Sequence, residues 1–293
     1  MKAKRLTTVL VVLVFVVGLG ILLYPTFSDL WNQFRQDSLI DEYIKTTAEI
    51  DRKDLSEQLK AAENYNSVLD SSFHDAFSGK DPEESDVYWS LLNLDGNGIM
   101  GYMEIPKISV RLPIYHGTSE RVLQHGLGHL AGTSLPVGGK GTHSVISGHR
   151  GLPSALLLTD ADQLTYGDRF SVSVLGEKLV YEIDKITVIE PDKVSDLKPE
   201  DDGDYITLLT CTPYGINSHR LLVRGKRVAG ETELEEVTTL QKIVQSFDWK
   251  GKLLVALVGV AVVALAVSVI VKKRRKKRSK EQEKVITKEK DRE

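Results

Sequence analysis

Two long apolar runs constrain this chain more than any other feature. Leu6 to Tyr24 is interrupted only by Thr7, Thr8 and two glycines, and Leu253 to Val271 has Ser268 as its one polar side chain. As a helix, each run of about 19 residues rises roughly 28 Å, enough to cross a hydrocarbon core of about 30 Å. A pair of buried core helices is the alternative, but uncharged stretches of this length are rare in soluble folds. Met1-Lys2-Ala3-Lys4-Arg5 precedes the first run and Lys272 to Arg278 follows the second. Basic flanks stay on the cytoplasmic side. The expectation is therefore a two-span protein with both termini inside and residues 26–252 outside. A cleaved signal peptide is the other reading of the first run, but Tyr24-Pro25-Thr26-Phe27 offers no small-residue cleavage site. An uncleaved anchor is preferred.

Charge separates along the same lines. Of 38 basic and 41 acidic groups, 3 basic lie in residues 1–25, and 14 basic with 5 acidic lie in 250–293. That leaves 21 basic and 36 acidic groups in residues 26–249, a net −15. An acidic body is a poor nucleic-acid binder, because phosphate contacts need clustered Lys and Arg. The basic tail fits attraction to anionic lipid headgroups.

Between the runs the texture changes once. Residues 28–70 carry apolar side chains at helix-like spacing, with Pro25 and the Asn64–Ser72 segment expected to bracket the helix. Ser71 to Asp86 is polar and reads as a loop. From Gly101, short β-branched runs recur: 101–105, 110–115, 143–147, 169–174, 178–189, 205–210 and 221–228. Seven or eight short strands with few helices imply a closed β-barrel or a sandwich. Residues 122–130 and 155–161 read as short rim helices, and 231–247 as an amphipathic linker. Asp95-Gly96-Asn97-Gly98 resembles the start of a calcium loop but lacks the later ligands, and reads as a turn.

The chain has one cysteine, Cys211, so no intramolecular disulfide can form. A lone thiol outside the cell is either buried and inert or used. Thr207-Leu208-Leu209-Thr210-Cys211 reads as a strand running into a nucleophile, and Asn217 to Val223 opens the next strand. Antiparallel pairing would set Arg220 beside Cys211, where a guanidinium can hold the oxyanion of a tetrahedral intermediate. A proton-transfer partner must come from His74, His116, His125, His129, His143, His149 or His219. His149 stands out because Ser147-Gly148-His149-Arg150-Gly151 ends an apolar strand, its glycines permitting tight turns and close substrate approach. His219 remains a rival, and His143 and His219 are expected to orient backbone near the site.

These residues resemble a known family, the sortases, and within it the class C, pilus-polymerising members of Gram-positive bacteria. The family's Thr-Leu-x-Thr-Cys signature stands at Thr207–Cys211, its arginine at Arg220 and its histidine at His149. The class C character lies in Cys211-Thr-Pro-Tyr-Gly-Ile-Asn-Ser-His-Arg220 and the segment that follows to Arg227. Gly101 to Pro106, Leu135 to Gly139 and the second apolar run add support.

The resemblance implies a mainly β fold: a closed eight-stranded sortase-like β-barrel (101–230) with an N-terminal helical extension (26–100). A cytoplasmic stub and anchor (1–25), a linker (231–252), a second transmembrane helix (253–271) and a basic tail (272–293) would complete the chain. It also implies that Cys211 cleaves an LPxTG-like sorting signal between Thr and Gly, with His149 as acid and base and Arg220 on the oxyanion. A pilin lysine amine would then resolve the thioester. Two acyl transfers through one thioester conserve the acyl energy, so no cofactor or metal is implied. Class C members carry a lid with an Asp-Pro-aromatic motif; here Asp75-Ala76-Phe77 matches it, with Asp75 expected on Arg220 and Phe77 over Cys211. Asp81-Pro82-Glu83 is a rival match that lacks the aromatic. Two alternatives stay open: a housekeeping sortase using a cell-wall peptide amine, and a non-catalytic surface domain with Cys211 merely buried.

Overall fold

The structure is a computed structural model that describes residues 2–69, 86–193, 197–200, 202–228 and 261. The chain divides into two units, Met1–Ser246 and Phe247–Glu293, and the barrel and its helices belong to the first. The linker, the second apolar run apart from Ala261, the basic tail and the lid residues Asp75 and Phe77 lie outside the described residues.

Among the described residues two long helices lead toward the barrel: α1 (Lys2–Glu49) and α2 (Arg52–Ser67). Contrary to expectation, α1 does not begin after Pro25 but runs through it. Proline removes one intrahelical bond and crowds the carbonyl four residues back, a local loss that long helical stretches on both sides absorb. The break comes instead at Ile50–Asp51, inside the stretch read as continuous. Asp51 caps α2 by accepting from Lys53 N at 2.8 Å, offering the backbone a local partner that competes with helix continuation. A one-turn α3 (Asp86–Ser90) leads into the barrel.

Eight strands follow: β1 (Ile99–Ile105), β2 (Val110–His116), β3 (Leu127–His129), β4 (Thr142–Ser147), β5 (Arg169–Val174), β6 (Glu177–Ile189), β7 (Asp204–Thr212) and β8 (His219–Arg227). They close into a barrel in the order β1-β2-β3-β4-β7-β8-β6-β5. The strands read from the sequence are all present. The segment 122–130 is not one helix, however: α4 covers only Glu120–Leu123, and Leu127–His129 pairs in parallel with β2 and antiparallel with β4. Its three residues are too few to show an alternation, and the neighbouring strands' unpaired edges set their conformation. Residues 155–161 are not a helix: Ala155 bridges to Leu152, residues 157–160 form turns, and a 3₁₀ turn covers Ala161–Gln163.

The barrel interior holds Met103, Ile105, Leu112, Ile114, Phe170, Val172, Ile206, Leu208, Leu221 and Val223, all buried. Phe170 stacks on Tyr181 at 5.6 Å, and a Cβ at Gly225 would collide with the Phe170 ring, which explains a glycine inside β8. The Asp95–Gly98 segment is a turn: Asp95 accepts from Asn97 N at 3.2 Å and Asn97 from Ile99 N at 2.8 Å.

Polar contacts tie the extension to the barrel. Tyr43 on α1 donates to Met100 O at 3.0 Å and accepts from Leu175 N at 2.9 Å, and burial pushes its hydroxyl up to about 12. Arg111 on β2 pairs with Asp37 and Asp41 of α1 at 3.1 and 3.3 Å. Asn66 of α2 clasps both backbone groups of Leu135, at 2.7 and 3.1 Å.

Candidate functional site

β7 carries Cys211 next to its end, and both of its neighbours bring chemistry to the same level. On one side β8 runs antiparallel, pairing Cys211 with Arg220 and Thr212 with His219. Directly opposed residues project to the same face of a sheet. On the other side β4 runs parallel, pairing Ser147 with Leu209. That register continues into the loop: Gly148 N donates to Leu209 O at 3.1 Å, and Thr210 Oγ1 donates to Gly148 O at 2.8 Å. His149 is the next residue along this segment. The strand of Cys211 therefore lies between β8, which sets Arg220 opposite the thiol, and β4, whose end leads into His149.

Alternation decides which face is used. Leu208, Leu221 and Val223 belong to the barrel interior, whereas Leu209 and Leu222 join Leu130, Val145, Leu197 and the half-buried Ile189 in a second apolar cluster. Cys211 and Arg220 share the outer face with Leu209 and Leu222, so the pair lies beside that cluster. Each is 7% exposed. Arg220 Nη1 donates to Asn217 O and His219 O, both at 3.2 Å, which holds the guanidinium against the β7–β8 loop.

His149 is braced from two directions. Leu158 N donates to its carbonyl at 3.2 Å, and its Nε2 lies 3.5 Å from Glu120 Oε2 at the start of α4. Arg150 then reaches across the site. Its Nε donates to Thr159 O at 2.9 Å, its Nη1 to Thr212 Oγ1 at 3.4 Å, its Nη2 pairs with Asp162, and its head lies 5.9 Å from the centre of the Tyr214 ring.

Glu120 and Arg150 were missed by reasoning from sequence. No local pattern links Glu120 to a histidine 29 positions later, but Arg150 had a signal in its place between His149 and Gly151. At Gly148 the expected room for substrate is absent, because the space a Cβ would need is filled from inside: Leu127 Cδ2 would lie at 2.7 Å and Leu158 Cδ1 at 2.8 Å. Gly151 does take a positive φ of 86°, against the Tyr214 ring.

The other histidines separate clearly. His143 is not near the site. It pairs with Tyr205, six residues back along β7, and its ring spans Lys198 O at 3.0 Å and Thr207 Oγ1 at 2.7 Å. Burial lowers its pKa. The expectation failed because a strand six residues long carries its two ends far apart. His219 flanks the site opposite Thr212 but is exposed, with Nδ1 2.8 Å from Ser218 Oγ. His129 is wholly buried between Tyr88 Oη and Ser134 O, both at 2.9 Å, and desolvation drives its pKa down to about 4. No group of three or more His, Cys, Asp or Glu among the described residues could hold a metal ion.

A cleft of about 1290 Å³ opens between α1, α2, β1 and β5, lined by Asp37, Tyr43, Leu59, Tyr102, Arg111 and Lys178 among others. Its described lining includes none of His149, Cys211 and Arg220, so it belongs to the seam between extension and barrel.

Comparison with known proteins agrees with this architecture. A model of the sortase domain matches residues 103–228. Sortase A of Bacillus anthracis is 25% identical over 229 residues, covering 78% of this chain and 97% of that protein. Sortase C-1 from Actinomyces oris is 46% identical with a TM-score of 0.57, covering 59% of this chain and 98% of that one. A sortase C of Streptococcus pneumoniae, whose structure bears on catalysis and pilin substrate specificity, is 42% identical with a TM-score of 0.63. That match covers 67% of this chain and all of the other. With an eight-stranded barrel of this order and a family match through both β7 and β8, the chain belongs to the sortases, cysteine transpeptidases, and to their class C kind.

Proposed function

We propose that this sortase polymerises pilin subunits, with Cys211 as nucleophile, His149 as proton carrier and Arg220 as oxyanion donor. The observation that supports the assignment is the register of β4, β7 and β8, which pairs Cys211 with Arg220 and ends β4 at Ser147 beside Leu209, two residues before His149. The Cys211 thiolate adds to the threonine carbonyl of an LPxTG-like signal, and Arg220 stabilises the resulting oxyanion. Collapse breaks the Thr–Gly bond; the glycine amine leaves with a proton from His149, and a thioester remains. A pilin lysine amine then gives a proton to His149 and attacks the thioester. The new isopeptide bond forms as the thiolate departs.

The pilin substrate associated with the Streptococcus pneumoniae sortase C supports this choice of partner. A housekeeping sortase would use a cell-wall peptide amine instead. Incubating the chain with pilins and with such a peptide distinguishes them: covalent ladders with lysine isopeptide bonds support polymerisation, and product with the peptide alone supports anchoring.

The reading includes membrane placement. Among the described residues, α1 is long and apolar enough to cross a bilayer. Two spans with both termini cytoplasmic would leave the site outside, and protease protection of both tails in sealed vesicles tests that topology. The resemblance also gives Asp75 and Phe77 a regulatory role at Cys211. Faster thiol labelling of Phe77→Ala than of the parent chain is the expected outcome.

A further inference from the structure

Helix α1 carries two opposite faces beyond its apolar run. Asp29, Gln36, Ile40, Tyr43 and Thr47 recur at helical spacing and are buried. On the other face stand Tyr24, Phe27, Trp31 and Phe34, at intervals of three and four residues, exposed by 60%, 65%, 72% and 74%. Four exposed aromatics in one stripe are not how a soluble helix ends. The stripe also has a sharp limit. One turn beyond Phe34 the same face reads Ser38, Glu42, Lys45 and Glu49, and Arg35 stands exposed at its margin.

We infer that this stripe lies in the headgroup layer of the bilayer, so that α1 is held between the membrane and the barrel. The inference rests on the anchor reading given above. Continuity identifies the occupant: the stripe begins where the run Leu6–Tyr24 ends, within one helix. Trp and Tyr are the side chains enriched at the membrane–water interface, and Arg35 can reach the headgroups from the stripe's margin. Upright, a helix would lift Phe34 about 15 Å above Tyr24, beyond an interfacial layer of roughly 5–8 Å. Pro25 resolves this. It stands about 140° around the helix from the middle of the stripe and crowds the carbonyl of residue 21, and a helix opens on the proline side. A bend there therefore closes toward the stripe and leans it onto the lipid.

The position of the site follows from the same helix. Asn32 Nδ2 donates to Ser154 O at 2.8 Å, Leu156 N donates to Asp29 Oδ1 at 2.8 Å, and Leu158 N donates to His149 O at 3.2 Å. The turn of α1 nearest the membrane is thus bonded to the segment that braces His149. Docking the stripe fixes that segment close above the bilayer, where membrane-borne substrates arrive.

The test uses the full chain with Trp89→Phe and Trp249→Phe, leaving Trp31 as its one tryptophan, in vesicles of phosphatidylcholine and phosphatidylglycerol. Lipid brominated high on its acyl chains should quench Trp31 by about twofold, while aqueous acrylamide should quench it severalfold less than in the urea-unfolded chain. Strong acrylamide quenching without bromolipid quenching would put the stripe in water and overturn the inference. Quenching by neither would mean that protein covers it, and overturns it equally. Alkaline carbonate separates the two readings. Release of the chain refutes the anchor and the docking together, whereas retention with an unquenched Trp31 refutes docking alone. Independently, Trp31→Ser with Phe34→Ser should keep turnover of a soluble signal peptide and lose severalfold on a vesicle-borne substrate. Equal turnover of both substrates would overturn the inference.

Discussion

Arg150 Nη1 donates to Thr212 Oγ1 across 3.4 Å, so the residue after His149 is bonded to the residue after Cys211. Backbone register brings the two segments to one level, and this side-chain bond spans the gap beyond the last ladder pair. The same guanidinium holds Thr159 O and Asp162. It acts as a strut between three segments that share no sheet hydrogen bonds at that point.

Arg150 is therefore expected to be a positioning residue. Arg150→Lys keeps the charge but loses the planar donor fork, and kcat should fall about tenfold or more, since small misplacements of reacting groups are costly. Thr212→Val removes a single bond worth about 1 kcal/mol and should cost less, while Thr212→Ser should retain activity. Full kcat in Arg150→Lys, measured by signal-peptide cleavage, would show that the strut does not position the site.

Cys211→Ala should abolish both cleavage and polymer formation while the barrel stays folded. Arg220→Lys should lower kcat by about 100-fold or more, the usual effect of losing one preorganised oxyanion donor. Circular dichroism and single-turnover thioester capture separate the chemical defect from misfolding. Wild-type turnover in Arg220→Lys would reduce Arg220 to a structural clamp on the β7–β8 loop.

Among the histidines only His149→Ala should lose activity at the chemical step. His219→Ala removes an exposed side chain and should stay within a few-fold of the parent. His143→Ala should act through stability instead, because it leaves the buried Thr207 Oγ1 without its ring partner, at a cost of about 1–3 kcal/mol. Steady-state kinetics together with urea melts distinguish the three.

Much of this could be read from the sequence because β-branched runs and turn residues mark the strands one by one. The pairing of Cys211 with Arg220 was also legible, since a short loop between antiparallel strands leaves little choice of register. The parallel pairing of β4 with β7 was not, because their sequence separation of some 60 residues carries no local signal of adjacency. β3 escaped notice because three residues cannot declare a period. The break before α2 was legible in the Asp51 cap, but the apolar spacing on either side masked it.

Stability should decline in mild acid because of His129. Its folded pKa of about 4 lies below the ordinary 6.5, so the unfolded chain binds the extra proton first. The stabilising contribution is complete above pH 6.5 and is lost as pH falls toward 4. That window of about 2.5 units corresponds to roughly 3 kcal/mol for one fully buried group. Burial lowers the pKa of His116 and His143 as well, which adds to the same slope. Urea unfolding at pH 7 and pH 4.5 should show the drop, and His129→Gln should flatten it. An unchanged slope in that variant would assign the acid sensitivity elsewhere.

Gly148 offers the most local test of how the fold aims His149. An alanine Cβ there would press on Leu127 and Leu158, both wholly buried, at 2.7 and 2.8 Å. Either those side chains shift within a packed core, at about 1–3 kcal/mol, or the backbone lifts. Lifting strains the Gly148 N–Leu209 O and Thr210 Oγ1–Gly148 O bonds that carry the β4–β7 register past the end of the ladder. His149 is the next residue, so the displacement passes directly to the imidazole. Gly148→Ala should lower kcat more than it raises KM. Adding Leu158→Ala should restore part of kcat while lowering stability further, because it clears space at the cost of a cavity. A structural defect alone would move stability and kcat in the same direction in the double variant, whereas repositioning of His149 moves them in opposite directions.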